Sequence, residues 1–101
     1  MDDDRRIRVA ILDTGIDSTH QMFHEALQGP EESRPIVAWK GFPSSLDPLR
    51  DMNGHGTHAT SVLHKVAPDA ALYIARVAND KGQVGENGDY GHVVDVLTHA
   101  A

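Results

Sequence analysis

Ile7-Arg8-Val9-Ala10-Ile11-Leu12-Asp13-Thr14-Gly15-Ile16-Asp17 holds the key to the fold. Its apolar, β-branched run from Ile7 to Leu12 reads as a short buried strand. Asp13-Thr14-Gly15 ends that strand, and Gly15 permits the turn. Upstream, Met1 to Arg6 is acidic and then basic and reads as a solvated tail, so the domain spans 7–101. Downstream, Ser18 or Thr19 is placed to cap a short helix through Leu27. Ile36 to Trp39 is a second strand. Gly54-His55-Gly56 opens a helix to about Val66, with Ala59, Val62, Leu63 and Val66 at helical spacing. Pro68-Asp69 breaks it, and Ala71 to Val77 is the clearest strand. Asp89 is placed to cap a last helix carrying Val93, Val94, Leu97 and Ala101. Strands alternating with helices predict an α/β fold: a partial parallel sheet with flanking helices. The last helix reaches Ala101 without a Gly or Asn stop signal, so a further strand is expected and the chain reads as truncated.

Composition narrows the function. The chain has 101 residues, a hydrophobic share of 40% and a formal net charge of -6. The charge argues against nucleic acid as a partner, because phosphate contacts need a basic face. No apolar run approaches the ~20 residues that span a bilayer, so no membrane partner is expected. Cysteine is absent, which removes disulfides, thiolate nucleophiles and Cys-based zinc sites. No secretory signal peptide is present in the chain, and localisation stays open.

Two segments carry chemistry. Asp13 lies at the carboxyl end of a strand, where functional groups gather in parallel α/β sheets. A carboxylate there can accept a hydrogen bond from an imidazole N–H, or simply stabilise the turn. The second segment is Asp51-Met52-Asn53-Gly54-His55-Gly56-Thr57-His58. Glycines on both sides of His55 let the backbone approach a neighbouring element. A helix start suits an imidazole that begins uncharged and takes up a proton.

Val9 to Asp17 resembles the segment around the catalytic Asp of subtilisin-like serine peptidases. Asn53 to His58 resembles the segment around their catalytic His. Ile74-Ala75-Arg76-Val77, after Val66-Ala67-Pro68-Asp69, is similar too. The resemblance runs from about Arg8 to Ala101, with the two motifs in family order on α/β elements. It implies an N-terminal part of a peptidase domain and a polypeptide substrate. Asp13 would orient the imidazole, and His55 would take the proton from a serine. His58 would be structural, while Asp51 and Thr57 would support the His loop.

This chain also departs from the family pattern. The Gly-Thr-Ser-x-Ala segment that supplies the nucleophile is absent, and Ser18, Ser33, Ser44, Ser45 and Ser61 lack that setting. The isolated chain is therefore expected to be inactive. Thr60 and Ser61 stand where the family has Ala and Gly. Met22 stands where an Asp often binds calcium, and a thioether does not ligate a hard cation. No cofactor is expected, and substrate-binding residues are not legible. Three other readings compete. One is a non-catalytic degenerate peptidase domain or binding module. Another is a homodimeric aspartic peptidase using Asp13 in its Leu12-Asp13-Thr14-Gly15 turn, against which the helical periodicity speaks. The last is a metal site at His20 and His24, which lack a completing ligand set. The glycine-rich stretch from Gly82 to Gly88 lacks a phosphate-binding pattern and reads as a loop.

Overall fold

A computed structural model describes residues 6–84 of the chain. Within them, β1 (Arg8–Asp13), α1 (Gln21–Ala26), β2 (Ile36–Gly41), α2 (His55–Val66) and β3 (Ala71–Arg76) follow in order. Both strand pairings are parallel and the sheet order is β1-β3-β2. The helix proposed after Asp89 lies outside the described residues. The parallel sheet with helical crossovers bears out the expected α/β class. It also removes the aspartic-peptidase reading, whose fold is nearly all β.

β3 lies between the other two strands and is buried at every position but Tyr73. Successive side chains of a strand face opposite sides. Leu72 and Ile74 therefore enter one apolar cluster, with Ile16, Phe23 and Ile36. Ala75 and Val77 enter another, with Phe42. Phe23 and Ala26 of α1 and Leu63 of α2 all pack into the first cluster. Phe23, Ile16, Ile36 and Leu72 are fully enclosed. Burying each contributes about 1.5–3 kcal/mol.

The structure corrects three local expectations. β1 is not buried: Arg8 is exposed and the rest is half-covered. Among the described residues it pairs only with β3, so one edge lacks a neighbour. The cap of α1 is His20, whose ring accepts a bond from the Met22 N–H, in place of Ser18 or Thr19. Those hydroxyls are engaged elsewhere, Ser18 with the Leu49 carbonyl and Thr19 with Asp17. In α2 the buried residues are Gly56 and Thr60, while Val62 and Val66 are exposed. Leu63 meets the core as expected, but the two enclosed positions are small residues, which a hydropathy pattern does not register.

Candidate active site

Asp13 closes β1, and the chain after β3 folds over it. The Asp13 carbonyl accepts the N–H groups of Val77 and Ala78 at 2.9 and 3.3 Å. Its carboxylate Oδ1 accepts the Thr14 N–H at 2.8 Å. The strand tip is thus held by its own backbone and by the loop from β3.

His55 is the first residue of α2. Gly54, the capping residue, sits at φ 93° and has no side chain to cap with. A residue outside the helix serves instead. Asp51 Oδ1 accepts the N–H groups of Asn53 and Gly54 at 3.2 and 2.8 Å. Asp51 Oδ2 accepts both the N–H and the hydroxyl of Thr57, at 2.8 and 2.5 Å. One carboxylate therefore caps the turn, supplying acceptors to donors that a helix start leaves unpaired.

Asp51 also joins this turn to the one after β1. The Thr14 hydroxyl donates to Asp51 Oδ1 at 2.8 Å and accepts the Gly56 N–H at 3.0 Å. The Thr57 hydroxyl accepts the Asp17 N–H at 2.9 Å. Gly56 permits the approach: a Cβ there would lie 2.1 Å from the Gly15 carbonyl oxygen. Burial opposes the charge on Asp51, but hydrogen bonds from Thr57, Gly54 and Thr14 outweigh it. They hold its carboxyl below the usual range. Asp17 is also held low, chiefly by the Thr19 hydroxyl and N–H.

With both turns locked together, His55 Nδ1 lies 2.8 Å from Asp13 Oδ2 and 2.9 Å from Oδ1. An ionised carboxylate only accepts, so Nδ1 is the donor and carries the proton. Nε2 of the neutral ring is then left with its lone pair. The side chain of His55 is 73% exposed and that of Asp13 only 17%. The ring opens to solvent while its anchor is sheltered. Beside the pair lies a hollow of about 390 Å³, walled by Leu12, Val77, Ala78 and Val84.

The other candidates do not join this site. His20 caps α1, and His24 Nε2 lies 2.8 Å from Gln28 Nε2. Met22 is half-buried against the apolar cluster. Among the described residues, no three His, Cys, Asp or Glu side chains gather as metal ligands. His58 is exposed on α2. Sequence reasoning missed Thr14, whose hydroxyl bridges the two turns, because a threonine beside an aspartate carries no signal of its own.

The subtilase family model matches residues 4–97. The chain is 31% identical to the major intracellular serine protease of Bacillus subtilis, over 95% of its own length and 30% of the relative's. It is 36% identical to the subtilisin-like protease PopC of Myxococcus xanthus, over 70% of the chain and 16% of that protein. Subtilisin E of Bacillus subtilis is 28% identical over 93% of the chain and 23% of its own length. The chain thus spans less than a third of the relatives it matches. A parallel α/β sheet, a strand-tip aspartate against a helix-opening histidine, and a family match over nearly the whole length lead to one conclusion: this chain belongs to the subtilase family.

Proposed function

We propose that the chain supplies the Asp and His members of a serine-type endopeptidase site, and that the nucleophile comes from outside residues 1–101. Family membership supports serine peptidase chemistry at the family level. The observation that carries the finer reading is the contact of His55 Nδ1 with the Asp13 carboxylate at 2.8 Å. In this scheme Nε2 takes the proton of a serine hydroxyl as its oxygen attacks the peptide carbonyl. Asp13 stabilises the imidazolium that forms. His55 then passes the proton to the leaving amine, and water repeats the cycle on the acyl-enzyme. Asp13 keeps its charge throughout and fixes which ring nitrogen is free. The hollow beside the pair receives part of a polypeptide substrate.

The reading is tested with a quenched fluorescent peptide. The 101-residue chain alone should show no turnover. The product of the whole gene should cleave the peptide, and His55→Ala should lower kcat by about 10⁴-fold or more. Turnover by the 101-residue chain alone would overturn the assignment of the nucleophile. A whole-gene product that never cleaves peptides would favour the non-catalytic reading.

A further inference from the structure

Arg76 is a buried cation that the proposed chemistry does not use. It closes β3 directly opposite Asp13 in the β1–β3 register and is only 5% exposed. Its guanidinium reaches two separate segments, residues 47–50 and residues 78–80. Nε donates to the Ala78 carbonyl at 3.1 Å. Nη1 donates to the carbonyls of Asp47 and Arg50 at 3.1 and 3.3 Å. Nη2 pairs with Asp80 Oδ1 at 2.9 Å, and that carboxylate is half exposed.

Both arms lead to His55. Through Arg50, the guanidinium fixes the residue next to Asp51, the acceptor that caps the first turn of α2. The same 48–49 stretch accepts the Ile16 and Ser18 N–H groups, so it also braces the turn after Asp13. Through Asp80, the path is shorter. The Asn53 amide donates to the Asp80 carbonyl at 3.0 Å, and Asn53 Oδ1 accepts the N–H of His55 itself at 3.2 Å. Meanwhile the Ala78 segment that Nε holds donates to the Asp13 carbonyl.

We infer that Arg76, acting through Asp80 and Asn53, is a positioning residue that holds the His55 turn at hydrogen-bonding distance from Asp13. A fixed planar fork suits this task. A lysine keeps the charge but has one nitrogen, which cannot serve four acceptors spread around a guanidinium. Removing the clamp should leave the sheet intact and loosen the imidazole. A neutral histidine without a partner on Nδ1 no longer has its tautomer set by one.

This inference rests on the Asp13–His55 pairing, and the test separates the two. Long-range proton–nitrogen spectra of the ¹⁵N-labelled 101-residue chain report which ring nitrogen of His55 carries the proton. The variants are Arg76→Lys, Asp80→Ala and Asn53→Ala, with His55→Ala to assign the signals. The expected result is a predominant Nδ1–H form in the unaltered chain. It should lose that predominance in Arg76→Lys and shift part-way in Asp80→Ala and Asn53→Ala. The amide signals of β1 and β3 should stay in place. If His55 in the unaltered chain carries its proton on Nε2, the pairing itself fails. If the unaltered chain shows Nδ1–H and Asp80→Ala and Asn53→Ala leave it unchanged, the inference about Arg76 is overturned. Asp80 and Asn53 lie at the surface, so these two variants decide the matter even if Arg76→Lys does not fold.

Discussion

The first turn of α2 and its next turn treat buried polar groups in opposite ways. In the first, the half-buried Asp51 carboxylate accepts five hydrogen bonds, from Thr14, Asn53, Gly54 and twice from Thr57. One turn on, the Thr60 hydroxyl is fully buried and has no partner among the described residues. The same helix is thus tightly satisfied where it carries His55 and unsatisfied where it only packs. A polar group that loses its water must find a partner or be destabilising. The contrast separates residues that hold the imidazole from residues that fill space.

Breaking the satisfied end should have the largest effect. Asp51→Ala strands the Gly54 and Thr57 N–H groups and the Thr14 hydroxyl together. Denaturant unfolding should show a loss of about 3 kcal/mol. Gly56→Ala comes next, because its Cβ must push the Gly15 carbonyl away. A loss of about 2 kcal/mol is expected in the same measurement, with a lengthened Asp13–His55 contact.

Acid should sharpen the picture further. The Asp51 pKa is lower in the folded chain than in the unfolded one. Its contribution to stability is therefore fully present above the unfolded value of about 3.9. It is lost as pH falls through the folded value. Melting temperatures followed from neutral pH down into this range should fall, and Asp51→Asn should flatten that fall. The smallest effect lies at the unsatisfied end. Thr60→Val keeps the shape and removes the lone hydroxyl, so stability should rise by about 1 kcal/mol.

Much of this was legible in the residues themselves. The short apolar runs ending in Leu12, Trp39 and Val77 announced three strands, of which only β3 is enclosed on both sides. Asp13 and His55 were legible because glycines and a strand end surround them in a recognisable order. The buried side of α2 was legible only in Leu63: Gly56 and Thr60 carry little hydropathy, whereas the exposed Val62 and Val66 carry much. Nor was the role of Arg76, since a charged residue at a strand end ordinarily lies in water. The His20 cap was hidden for a different reason. Ser18 and Thr19 were better capping residues by type, but a tertiary bond to Leu49 and a local one to Asp17 took them away.

Everything catalytic in this account depends on one proton being held between two side chains. The most direct check compares the imidazole nitrogen shifts of His55 in the unaltered chain and in Asp13→Asn. A carboxylate forces the proton onto Nδ1, whereas an amide turns a donor toward that nitrogen and drives the proton to Nε2. The expected outcome is an exchange of tautomers between the two chains. Identical spectra would mean that Asp13 does not govern the ring, and the peptidase reading would fall with it.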